Sequence, residues 1–204
     1  VNIWVPPYGN DPLEYMTVAR LITGKMALSG VYPPIDTSVT AGFFCPWTHP
    51  PGFVLLMSWA QLLQGDFYNA GAIKFIDTYF LAAGAFVVFV FAGGALNFRG
   101  IIAATLYILT PLLLTQAFEH HIDISRIGLW TGAFLAVTAW ARDPRPLPSI
   151  ALGILFGLGW FLHSIGLIAL PIFLVLAVIV GQGTVRSRLA GIAIVFASTV
   201  ATVL

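Results

Sequence analysis

Charge is what this sequence has least of. Lys, Arg, Asp and Glu together make up 8% of its 204 residues, against about a quarter in an ordinary soluble domain. So few ionic groups cannot clothe a water-facing surface around a chain that is 59% hydrophobic. The net charge of +1 leaves no basic field for a nucleic-acid partner. Cys45 is the single cysteine, which excludes an internal disulfide and a cysteine-rich metal site. HExxH, cysteine-pair and glycine-rich phosphate signatures are all missing. The chain opens Val1-Asn2-Ile3-Trp4 without methionine and stops at Thr202-Val203-Leu204 inside an apolar run, so it reads as part of a longer protein, with no recognisable signal peptide.

What is there is a series of apolar runs separated by short polar loops, with a mean hydropathy of +0.94. That pattern predicts an all-α polytopic membrane protein. Residues 1–51 are the least apolar stretch and rich in proline, which predicts an ordered outer loop carrying one juxtamembrane helix. Asp11-Pro12 has the form of a helix start, with Asp as N-cap and Pro at the first helical position. Tyr15, Val18, Ala19, Ile22 and Met26 then recur near helical spacing toward a stop at Ser29-Gly30. This helix is expected to lie along the membrane surface. Residues 52–65 are too short an apolar run to cross a bilayer, which takes roughly 20 residues, and predict an interfacial helix. Residues 66–204 then form a transmembrane bundle of about six spans, near 70–97, 100–118, 124–141, 149–163, 165–181 and 188–204, of which the fourth and fifth are short and must tilt or share thickness with neighbours.

Arg99, then Arg142 and Arg145, then Arg186 and Arg188 fall in alternate loops. Cytoplasmic loops are enriched in such residues, so these are expected inside a plasma (inner) membrane, with the other loops outside. The outer face then receives residues 1–51, the loop Glu119-His120-His121-Ile122-Asp123 and the turn His163-Ser164. Polar and ionisable groups are costly near lipid, so their gathering on one face points to function.

Asp11 and Glu14, three apart, would share one side of a helix and could divide the work of base and support or bind a metal. They could equally be a cap and a dipole partner. His49, stiffened by Pro50 and Pro51, suits metal or phosphate contact. Glu119, His120, His121 and Asp123, with Arg126 one turn later, could ligate a divalent cation or hold a phosphate. Gly153, Gly157, Gly159 and Gly166 permit close helix packing, and His163 among them is a helix-end cap or a phosphate contact.

The order of these features resembles the GT-C glycosyltransferases, which include the protein O-mannosyltransferases and the bacterial lipid A aminoarabinose transferase (glycosyltransferase families 39 and 83). The resemblance runs from about Asp11 to Leu204. It rests on Asp11-x-x-x-Tyr15-x-x-x-Ala19, Gly30, His49-Pro50-Pro51, Leu62-Leu63-x-Gly65, Lys74, Asp123 opening a span, and Leu152-Gly153-x-x-x-Gly157-Leu158. It implies that this is the N-terminal portion of such an enzyme, with a first span and a C-terminal half beyond these residues. It further implies transfer of a sugar from a polyprenyl-phosphate carrier to an acceptor lipid, protein or glycan on the outer face. Asp11 and Asp123 would be its acidic catalytic residues, with Asp11 as general base. Lys74, Arg126 and His163 would bind the leaving phosphate, His163 standing where the family commonly has lysine. Glu14, His49, His120 and His121 would be metal or supporting groups.

Three other readings fit parts of the pattern. A catalytically degenerate subunit of this fold could pack beside other membrane subunits. A transporter would keep charge near mid-membrane and show repeats, whereas residues 70–97 and 100–118 carry almost no charge beyond Lys74 and Asp77, and no internal repeat is present. A haem protein would need histidines spaced to sandwich a cofactor, and those here fall at span ends.

Overall fold

The computed structural model describes residues 10–28, 49–65, 71–93, 97–119, 122–164 and 166–204. The described chain is all-helical, 85% helix without strands. Its helices are α1 (Asn10–Lys25), α2 (Gly52–Gln64), α3 (Gly71–Phe91), α4 (Phe98–Ile108), α5 (Pro111–Glu119), α6 (Ile122–Trp140), α7 (Pro146–Leu162), α8 (Gly166–Val180) and α9 (Val185–Val203).

Local chemistry sets most boundaries. α1 begins two residues earlier than Asp11-Pro12 suggests, which puts Asp11 inside the helix and not at its cap, and it ends at Lys25, short of Ser29-Gly30. There Met26 adopts a φ of 51°, Ala27 N–H donates to the Ile22 carbonyl and Met26 N–H to that of Thr23. This is a Schellman closure built without glycine at the left-handed position. Met26 consequently leaves the apolar face and is 73% exposed, while Tyr15, Val18, Ala19 and Ile22 are buried as their spacing predicts. Gly65, at φ 71°, closes α2 in the ordinary way. Pro146 opens α7, and Thr184 caps α9 by accepting from Ser187 N–H at 3.1 Å.

α3, α6 and α9 are each long and apolar enough to cross a membrane. The run expected as one span over 100–118 is broken: α4 and α5 meet at a bend of 55°. Pro111 is the cause, because it has no N–H to donate and it disfavours helical backbone at Thr110. The two halves together would make a fourth span, whereas α7 and α8, of 17 and 15 residues, are shorter apolar helices. No more than about a third of each long helix is buried. Phe75, Tyr79, Phe86 and Phe196 point outward from them. A soluble bundle does the reverse, so this surface is compatible with an integral membrane protein.

α3 and α6 run side by side in the same direction. Ile73 and Ile122 share one apolar cluster, Gly128 meets the Phe80 carbonyl, and Tyr107 of α4 reaches both Gly84 and Thr131. α7 lies between α6 and α9, antiparallel to α6 and parallel to α9. Gly153 and Gly157 lie against Val195, Ser198, Thr199 and Thr202 of α9, and the Thr199 hydroxyl donates to the Gly153 carbonyl at 3.1 Å. This is the close packing expected of the glycine-studded segment. α1 lays its apolar face on α2, where Ser58 donates to the Ala19 carbonyl at 3.1 Å and Thr23 to Gln61 at 3.3 Å.

The two ends of the bundle therefore differ. One carries His49, Lys74, Asp123, Arg126 and His163 around the α1–α2 pair. The other carries Arg142, Arg145, Arg186 and Arg188, with Arg99 at the foot of α4. At that second end Trp140 donates its indole N–H to Ser149 at 2.8 Å in a buried setting. Ser149→Ala strands that donor, and about 1–2 kcal/mol of stability should be lost, read as a lower midpoint in detergent unfolding. An unchanged midpoint would mean that lipid or water replaces Ser149.

Candidate functional site

The histidine end is assembled from four helix termini. Gly52, at the start of α2, abuts the end of α7 so closely that an added Cβ would collide with the Phe161 carbonyl and ring. That approach places His49 against His163, their ring centroids 4.1 Å apart and tilted by 37°. Asp123 and Arg126 come from the first turns of α6, where their spacing of three makes them neighbours. Their ion pair closes at 2.5 Å. Arg126 also lies over the Trp130 ring, 5.6 Å from its centroid, and its Nη1 is 3.4 Å from His163 Nε2.

Protonation follows from these contacts. A guanidinium can only donate, so His163 Nε2 accepts and its ring proton belongs on Nδ1. His163, in the turn beyond α7, has its pKa lowered to about 4, first by burial and then by His49 and Arg126, against a smaller opposing effect of Asp123. It is a neutral imidazole at pH 7. Below about 6.5 an unfolded chain binds a proton that folded His163 refuses until about 4. Native stability should therefore fall as pH drops through that window, and His163→Gln should flatten the slope. Unfolding midpoints between pH 7 and 4.5 for the two proteins check this; identical slopes would place the acid sensitivity elsewhere.

Beneath these groups lies a cavity of about 460 Å³ walled by Leu56, Trp59, Tyr79, Phe80, Leu158 and Phe161, with Gly52, Leu129 and Leu162 at its upper rim. The register is informative. His49, Arg126 and His163 each stand within three residues of a cavity-lining residue on the same segment, namely Gly52, Leu129 and Leu162. Trp59 and Tyr79, 69% and 68% exposed, stand where the cavity opens toward the outer surface of the bundle. The arrangement suits an amphiphile with a polar head at the helix ends and an apolar tail below.

Of the residues singled out in the sequence, His49, Asp123, Arg126 and His163 come together. Lys74 is at the same end, in the first turn of α3 and 2% exposed. Glu14 is half-buried on α1. The side chain of Asp11, and His120 and His121 altogether, lie outside the described residues. Among the described residues no three His, Cys, Asp or Glu side chains gather as a metal site. Of the four residues expected to hold a divalent cation, Glu14 and His49 are the two whose positions are described.

Sequence reasoning passed over Asp77, 0% exposed and on the same face of α3 as Lys74. Lys-x-x-Asp inside an apolar helix was the available signal, since buried charges in such a setting mark function. Trp130 gave none, being one more aromatic in an apolar run. No protein-family model matches this sequence, and neither a curated protein nor a solved structure does.

Proposed function

We propose that this chain is the lipid-phosphate-binding part of a membrane glycosyltransferase that moves a sugar from a polyprenyl-phosphate donor to an acceptor on the extracytoplasmic face. The observation that carries this reading is that His49, Arg126 and His163 of the polar end each stand within three residues of the lining of one apolar cavity, which exposed Trp59 and Tyr79 also line. A lipid-linked donor enters laterally from the bilayer, its isoprenoid tail taking the cavity and its phosphate the helix ends.

Arg126 keeps further N–H donors beyond those aimed at Asp123 and His163, and a fork of this kind matches phosphate oxygens. Asp123 and Trp130 hold that fork in place, so Asp123 acts through Arg126. Neutral His163 can donate from Nδ1, and Lys74 lies at the same end of α3. In the transfer the bond between the anomeric carbon and the phosphate oxygen breaks, and its electron pair leaves on the phosphate, stabilised by Arg126. The acceptor oxygen bonds to the anomeric carbon and its proton passes to a carboxylate. Asp11 is that base by the resemblance to the GT-C enzymes, a role typically worth about 10²–10⁴-fold.

The test is incubation of the full-length protein with radiolabelled polyprenyl-phosphate sugars and membrane extract as acceptor source. Consumption of a donor, lost in Asp11→Asn with folding retained, is expected. A protein that neither binds nor consumes any such donor would instead be a scaffold subunit.

A further inference from the structure

The arginine end of the bundle carries a second cavity, of about 360 Å³, between α6 and α8. Phe134, Val137 and Leu176 form its apolar wall, while Thr138, Arg142 and Gln182 stand at its polar side. Its rim is fixed, because Gln182 N–H donates to the Ala141 carbonyl at 2.6 Å and so ties the end of α8 to the end of α6. The neighbouring cations are occupied: Arg145 pairs with Asp143 at 2.6 Å and Arg188 donates to the Val178 carbonyl at 2.6 Å. The Arg142 guanidinium is exposed and pairs with no carboxylate among the described residues. The same end of the bundle carries Arg99, Arg145, Arg186 and Arg188 and, among the described residues, a single carboxylate, Asp143. A basic, half-apolar notch between helices at the level of a membrane surface recognises an anionic head joined to an acyl chain.

We infer that the α6–α8 notch binds one anionic phospholipid, its phosphate on Arg142 and Gln182 and the start of one acyl chain along Phe134, Val137 and Leu176. The site is separate from the histidine end and needs only that the bundle be membrane-embedded. It holds a lipid of the leaflet at the arginine end, opposite the one that supplies the proposed donor.

The full-length protein is reconstituted in phosphatidylcholine nanodiscs, phosphatidylglycerol is titrated in as the probe, and lipid retained on the released protein is counted by native mass spectrometry. Phosphatidylglycerol should be retained in preference to phosphatidylcholine. Arg142→Gln should weaken that retention about fivefold or more, the effect of about one basic residue at a charged membrane surface. Thr138→Trp, which fills the notch from an exposed position, should weaken it comparably. Arg186→Gln, at the same end but outside the notch, should weaken it clearly less than Arg142→Gln does, because it loses surface attraction alone. Free glycerol phosphate at millimolar concentration should not displace the lipid, because it lacks the chain. Equal losses in Arg142→Gln and Arg186→Gln would reduce the effect to general surface attraction and overturn the site. So would full retention in Thr138→Trp, or displacement by glycerol phosphate. Sugar transfer by the same preparations reports separately on the histidine end, so either result can fail alone.

Discussion

Arg126→Ala should reduce sugar transfer by about 10²–10³-fold, the usual consequence of removing one donor aimed at developing negative charge, while leaving the protein folded. The two halves of that expectation have different origins. The Arg126–Asp123 pair is solvent-reachable, its side chains 22% and 34% exposed, and joins consecutive turns of one helix. Such pairs contribute little to stability, about 0–1 kcal/mol. On the proposed reading, in contrast, the donor phosphate would meet the guanidinium beside the apolar cavity, one turn from its lining residue Leu129. Arg126→Lys should recover only part of the rate, since an ammonium keeps the charge but loses the planar fork. Turnover with a defined polyprenyl-phosphate sugar, beside an unfolding midpoint for each variant, checks both halves. Equal falls in rate and midpoint would make Arg126 a structural residue.

Gly153→Ile should be the most damaging single change to the bundle. A Cβ at Gly153 would stand 2.5 Å from the Ser198 Cβ and 2.5 Å from the Val195 carbonyl oxygen, both on α9. These neighbours are backbone and a short side chain on a rigid helix, so neither can swing away. α9 must move outward, and the Thr199 bond to the Gly153 carbonyl goes with it. Overpacking of this kind costs about 1–3 kcal/mol, and the loss should appear as a lower unfolding midpoint and weaker α7–α9 association. Gly24, on the exposed side of α1, makes the contrast, since nothing lies within 4 Å of an added Cβ. Gly24→Ala should be neutral or stabilise by about 0.5–1 kcal/mol.

The sequence disclosed the helices better than it disclosed what joins them. Apolar runs located α3, α6 and α9 to within a few residues at most ends, because bilayer-length helices need long uninterrupted apolar stretches. The glycines of α7 were legible because close backbone approach has few other solutions. Pro111 was visible, yet the run around it still read as a single span, since composition does not register a bend. Met26 broke the apolar period through a backbone closure that side-chain spacing does not encode.

At the site, His49, Arg126 and His163 were picked out as rare polar groups in an apolar chain. Their convergence depends on Gly52 meeting Phe161 across 109 positions, a long-range contact that no local pattern announces. The cavity was not legible at all, since its walls are ordinary leucines and aromatics. Asp123 read as a possible cation ligand and, by the resemblance, as an acidic catalytic residue; in the structure it pairs with Arg126.

The most direct measurement is photocrosslinking with a polyprenyl phosphate that carries a diazirine on the isoprene unit nearest the phosphate, followed by mapping of the labelled peptides. Labels concentrated on Trp59, Tyr79 and Phe161, and competed away by unlabelled polyprenyl phosphate, are expected. Labels spread over the outer faces of α8 and α9, with no competition, would contradict a lipid-phosphate site at the histidine end.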